Sequence, residues 1–256
     1  HEWLEGGTEN FGSILKMAER SRIDFLPSDV VVVPELAGAE LSRGNYLKSV
    51  RGVARSLGSW VVGGSHHHRR NSRTINCGVV VDPAGSVVAE YEKLNPYGIE
   101  GAFGVSRGEL TGSFDLNGSK VLVLLCADFW FSANFAQAQA LPDLVLVPTF
   151  SITQRTSPRP AKSLWKHMAI SRSYEFAAYV GISDWAMSCT YHGQKSSGVA
   201  GLANPRPKDG RGFFEAMSSK RIALFTMDFA RLHSLRENRR DRGFLAPDLS
   251  RKATGR

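Results

Sequence analysis

Cysteine is scarce in this chain, with three in 256 residues, at Cys77, Cys126 and Cys189. An odd number so widely spaced suits neither a disulfide framework nor a zinc cluster of the CxxC kind, and a reducing compartment is expected. Long apolar runs are missing as well. Even residues 121–131 fall short of the roughly 20 residues that span a bilayer, and they include Asp128. The opening residues, His1-Glu2-Trp3-Leu4-Glu5, have neither the basic start nor the apolar centre of a secretion signal, so a soluble cytoplasmic protein is expected. No internal repeat or low-complexity linker divides the sequence, and residues 1–256 read as a single domain.

Charge is unevenly spread. The net charge is +8, and residues 221–256 carry a basic excess over Asp228, Glu237, Asp241 and Asp248. A basic stretch without interleaved aromatics or a recognised binding motif is weak grounds for a nucleic-acid site. The C-terminal segment 231–256 is therefore read as a solvated one whose arginines pair with neighbouring acids.

Apolar residues make up 42% of the chain, enough for a large core without disulfides or metal. They gather in short β-branched runs at 30–33, 60–62, 77–81, 121–125, 144–147, 179–182 and 222–225, which read as buried strands. Helical stretches are expected at 10–20, 45–57, 131–141 and 163–176, the last with Leu164, His167, Met168, Ser171 and Phe176 near one face. Asp82-Pro83-Ala84-Gly85 reads as a hairpin turn. The class is mixed α/β, and two packed sheets with helices outside satisfy the pattern.

Two of these strands, and the one that follows the hairpin turn, end in a polar residue that a packed core would not choose. Val31-Val32-Val33-Pro34 leads to Glu35, Ala89-Glu90-Tyr91-Glu92 to Lys93, and Val121-Leu122-Val123-Leu124-Leu125 to Cys126. Strand ends are where α/β proteins place reactive groups. Thiolate attack on an amide carbonyl needs a base for the thiol proton and a cation for the oxyanion, and glutamate and lysine supply them. Taken singly, each has an ordinary explanation: an inert core thiol, an ion-paired carboxylate, a solvated lysine.

In this order, with these neighbours, the residues resemble the nitrilase superfamily of carbon-nitrogen hydrolases. The resemblance runs from about residue 10 to 249. It includes Gly63-Gly64-Ser65, the run from Asn76 through Gly85 to Tyr91-Glu92-Lys93, and Cys126-Ala127-Asp128. Further on it takes in Leu144-Val145-Leu146-Val147-Pro148, the helix with Trp165, His167, Arg172 and Glu175, a closing strand with Asp228, and the cluster at 236–240. It implies a four-layer αββα sandwich, pairing with a second copy through helices as a homo-oligomer, and no metal or organic cofactor. It also implies a catalytic Glu35, Lys93 and Cys126 with Glu100 as a second glutamate, Glu109 being its rival. Ala127 would offer its N–H to the oxyanion, and Asp128 and Trp130 would line the substrate pocket.

The pattern is departed from in places. Asn95 and Pro96 follow Lys93 where histidine is common, and Trp130 and Ala133 stand where arginine and glutamate are common. The strand expected ahead of residue 10 is missing or divergent at 1–7, which suits a domain cut from something longer. His66-His67-His68 reads as a solvated loop near the pocket mouth, with no second ligand cluster to make it a metal site. Cys77 is read as a strand cysteine and Cys189 as a loop cysteine, neither reactive. The expected substrate is a small amide or carbamoyl compound in preference to a nitrile, since Ala127-Asp128 replaces the Trp-Glu usual in the nitrile-cleaving branch. A second reading is a diverged module of a larger assembly, acting through protein or nucleic-acid contacts. Retention of Glu35, Lys93 and Cys126 argues against it.

Overall fold

The computed structural model describes residues 8–245 apart from 136, 137, 139, 154, 155, 209–211 and 218–221. The expectations for residues 1–7 and for the end of the basic segment at 246–256 lie outside the described residues.

A first helix, α1 (Thr8–Ser21), precedes β1 (Val30–Val32), and α2 (Arg43–Leu57) follows it. Ser42 caps α2 by accepting the Asn45 N–H, and Gly58 ends it in the left-handed conformation, the usual chemistry at each end. β2 (Trp60–Val62), β3 (His66–Arg70), β4 (Arg73–Val81), β5 (Val87–Glu92) and β6 (Val105–Ser106) complete the first sheet, with α3 (Ile99–Ala102) between the last two. Cys77 pairs with His66 on one edge of β4 and with Glu92 on the other. β4 is therefore central, with β2 and β3 in line along one edge and β5 and β6 along the other. The histidine tract expected as a loop is β3, paired antiparallel with β4 from the His66–Cys77 pair to the Arg70–Arg73 pair.

The second sheet starts with the hairpin of β7 (Gly112–Leu116) and β8 (Ser119–Val123), turned by Asn117-Gly118 with positive φ at both residues. A 3₁₀ turn at Cys126–Trp130 and α4 (Ser132–Phe135) follow. The helix expected over 131–141 is thus confined, among the described residues, to its first turn. β9 (Leu144–Thr149) lies parallel to β8. β10 (Ile152–Thr153) leaves for a small outer sheet, and α5 (Arg159–Phe176) brings the chain back as β11 (Tyr179–Asp184), parallel to β9. β12 (Thr190–Tyr191) and β13 (Gln194–Ser196) fill the small sheet, β14 (Gly201–Ala203) and β15 (Phe214–Ala216) extend the second, and α6 (Phe229–Asp241) closes the chain. Residues 222–225, expected as a strand, have none here. Asp228 is no strand residue either: it caps α6 by accepting the Arg231 N–H.

Alternate side chains on the strands sort into three apolar layers. Val61, Val79 and Val81 pack with Tyr46, Val50 and Val53 of α2. Val62, Val80 and Tyr91 meet Val121, Val123, Leu144 and Leu146 between the sheets. Leu122, Leu124, Val145 and Val147 face α5. These clusters lie between α2 and the first sheet, between the two sheets, and between the second sheet and α5, in the mixed α/β class expected. Each fully buried Val or Leu contributes about 1.5–3 kcal/mol, so these layers dominate stability. The buried stripe of α5 is Trp165, Ala169, Ser173 and Phe176, not the face expected, and Leu164 is exposed. The difference is one of phase: Trp165 and Ala169 set the helix rotation.

Candidate active site

The ends of β1, β5 and β8 converge. Glu35 lies three residues beyond β1, Lys93 directly follows β5, and Cys126 begins the 3₁₀ turn after β8. All three are buried, Glu35 to 1% exposure. Lys93 Nζ is 2.7 Å from Glu35 Oε1 and 2.5 Å from Glu100 Oε2. Glu100, the first acid of α3, therefore joins the cluster, whereas Glu109, its rival from sequence, is 80% exposed and faces Arg73.

Backbone geometry pins the glutamate from several sides. The Trp185 indole N–H donates to Glu35 O at 2.7 Å, and Leu36 N–H donates to Ser65 Oγ at 2.9 Å. Gly64 has φ +66, and a Cβ there would lie 2.1 Å from Pro34 O, so glycine is required where the link between β2 and β3 passes the Glu35 segment. Phe150 links base and thiol: its N–H donates to Glu35 Oε2 at 2.9 Å, and its carbonyl accepts from Cys126 Sγ at 3.7 Å.

Cys126 has φ +44, a left-handed conformation unusual for a residue with a side chain. Such strain is often held at reactive positions. Here it turns the chain sharply out of β8 into the 3₁₀ turn, so Ala127, half-buried, brings its N–H to the head of that turn.

Asp128 and Trp130, expected in the pocket wall, have partners of their own. Asp128 Oδ2 accepts from Leu94 N–H, and Oδ1 accepts from the Asn95 backbone and side-chain N–H groups, at 2.7–3.0 Å. It ties the thiol turn to the segment after Lys93, and Asn95, which departs from the common pattern, is its partner. Trp130 packs edge-on to Trp165 at 5.4 Å, in the layer beneath α5.

The electrostatics follow from burial. Desolvation raises the Glu35 carboxyl above the ordinary glutamate range, helped by the charge on Glu100 and opposed by Lys93. Glu100 suffers desolvation too, but Lys93, Tyr97 N–H and Asn76 outweigh it and hold its carboxyl low. Burial works against the Lys93 charge, yet the two carboxylates keep the ammonium protonated far above neutrality. Burial, with Glu35 beside it, pushes the Cys126 thiol up, so at rest it is neutral and must lose its proton during attack.

Sequence reasoning assigned no role to Asn76, whose Nδ2 donates to both Glu35 and Glu100, nor to Phe150 and Trp185. The signal available was an asparagine inside a strand otherwise apolar or small from Ile75 to Val81. Among the described residues no three His, Cys, Asp or Glu side chains gather as metal ligands. His66 instead stacks on Tyr46 at 4.2 Å beside Arg43, and burial, with Arg43 nearby, lowers it to about 3. Cys77 lies next to it with burial raising the thiol to about 11, and both groups stay neutral.

Three buried ionisable groups past strand ends, with Glu100 of α3 beside them, form a costly arrangement from which a scaffold gains nothing. Comparison with known proteins agrees. The carbon-nitrogen hydrolase family matches residues 7–198, and the chain belongs to that family. It is 28% identical over 177 residues to 2-oxoglutaramate amidase of Bacillus subtilis (strain 168), a match spanning 64% of this chain and 64% of that protein. Among solved structures, Saccharomyces cerevisiae Nit3, a member of branch 10 of the nitrilase superfamily, superposes with TM-score 0.74 at 16% identity, covering 91% of this chain and 89% of that one. An amidase of the nitrilase superfamily from Nesterenkonia AN1 gives 0.64 at 21%, covering 78% of each. At these identities the structural likenesses speak for the fold.

Proposed function

We propose that this protein hydrolyses a small amide or carbamoyl compound through a thioester on Cys126, with Glu35 as general base and Lys93 as electrostatic stabiliser. The observation that carries the reading is the single buried network in which Glu35 bonds Lys93 through one oxygen and the Phe150 N–H through the other, while Cys126 bonds the Phe150 carbonyl. Glu35 takes the thiol proton as sulfur attacks the carbonyl. The oxyanion forms against the Lys93 ammonium and the Ala127 N–H. The amine leaves with a proton from Glu35. Water, deprotonated by Glu35, then releases the acid and restores the thiol. Lys93 can remain charged throughout because two carboxylates flank it.

The relative named for 2-oxoglutaramate supports amides of dicarboxylic acids as the leading candidates. Released ammonia would be measured over a panel of such ω-amides, aliphatic amides, carbamoyl acids and nitriles. Amides or carbamoyl acids should be turned over, and Cys126→Ala should lower the rate on the order of 10⁴-fold or more with circular dichroism unchanged. Turnover of the best substrate by Cys126→Ala at the wild-type rate would end the proposal.

A further inference from the structure

Asn76 lies within β4, fully enclosed, and its side chain faces the catalytic cluster. Its Nδ2 donates to Glu35 Oε1 at 3.1 Å and to Glu100 Oε1 at 2.7 Å. With the two contacts of Lys93, these bonds close a ring of four side chains: Lys93, Glu35, Asn76, Glu100. Asn76 Oδ1 has no hydrogen-bond partner among the described residues.

Packing does not explain such a residue. Valine would suit the strand and leave no buried acceptor unmet. Turning the amide over would set Oδ1 against two carboxylates, so charge fixes its orientation and the unmet oxygen is the consequence. A neutral NH₂ group presents two diverging hydrogens from one atom; serine offers one, and lysine would add a second cation beside Lys93.

We propose that Asn76 is a positioning residue that divides the roles of the two carboxylates, anchoring Glu100 and holding Glu35 ionised and oriented as the base. The inference rests on Glu35 being that base. It concerns the side chain alone, because Lys93 N–H donates to the backbone carbonyl of Asn76 at 2.8 Å and keeps that bond in any variant.

The test uses iodoacetamide, which reports proton removal from Cys126 whatever the natural substrate. Alkylation rates of Asn76→Ala, Asn76→Ser and the near-isosteric Asn76→Asp would be followed against pH by intact mass, with the adduct mapped to Cys126 and melting temperatures recorded. Loss of a hydrogen bond to a carboxylate should move the acid limb upward by about one pH unit in Asn76→Ala. Asn76→Asp, which adds a charge, should move it further, and Asn76→Ser less. Turnover of the best amide should fall about tenfold or more in kcat, with KM changed little. An acid limb unmoved in both Asn76→Ala and Asn76→Asp overturns the proposal, even if rate or melting temperature falls, because a merely structural role predicts that result. Glu35→Gln separates the two failures. If it abolishes the limb while the Asn76 variants leave it alone, only the role of Asn76 is lost. If it alkylates with the wild-type profile, the base assignment is lost too.

Discussion

At the scale of single residues, the candidate site works by disagreement between neighbours. Glu35 and Glu100 bond the same ammonium, yet burial drives one carboxyl up while three donors hold the other down. Environments that push two acids apart assign them different tasks. Because proton affinity is raised at Glu35, kcat/KM should fall as pH drops, and do so above the ordinary glutamate value. Glu35→Gln should remove that limb and slow both halves of the cycle, since glutamine keeps the shape but takes no proton. An activated ester could still acylate Cys126 in this variant, and the thioester should then persist in intact-mass time courses. Release as fast as in the wild type would shift the base role away from Glu35.

Between elements, stability depends on polar ties that the apolar layers cannot make. Arg236 of α6 donates to Asp143 at 2.6 Å and to the carbonyls of Pro142 and Ala177, fixing the helix against the starts of β9 and β11. Asp143 also accepts the Lys120 N–H from β8. Removing one member of a buried pair typically costs about 3–5 kcal/mol. In a domain of this size that is about 2–4 °C per kcal/mol. Arg236→Met should therefore lower the melting temperature by about 6–20 °C in calorimetry. Arg236→Met with Asp143→Leu should recover part of it, because no unpaired charge then stays buried. A single variant that melts like the wild type would show that the pair contributes nothing.

Over the whole molecule, the basic C-terminal region looks different folded than it does in sequence. Arg236 and Arg239 are buried, and Arg239 stacks on Tyr174 at 4.1 Å. Side chains so engaged are unavailable to phosphates. Binding of DNA or RNA at physiological salt, read by fluorescence anisotropy, should therefore be no tighter than the roughly 10⁻⁴–10⁻⁶ M of non-specific contact. Sub-micromolar, salt-dependent binding lost on charge reversal at Arg240 and Arg242 would contradict this. Among the described residues, no helix is long and apolar enough to cross a membrane.

Much of this was legible from the chain itself. Continuous apolar runs marked the buried strands because both faces of each sheet are covered, and three strands ending in Glu35, Lys93 and Cys126 marked the candidate site because a core would not end that way unaided. The sequence failed where the deciding partner is remote. His66, His67 and His68 are the exception, since they pair with the neighbouring β4 across the Asn71-Ser72 turn and the polar run hid a local hairpin. The tie that Asp128 makes to Leu94 and Asn95, 33 or more residues away, is invisible in the sequence. Asn76 has no visible role until Glu35 and Glu100 arrive beside it. The sequence by itself determined most of the buried strands and the candidate reacting groups, since periodicity and residue type are local. Only the tertiary structure decided protonation and orientation, because those depend on desolvation and on donors that come together when the sheets pack.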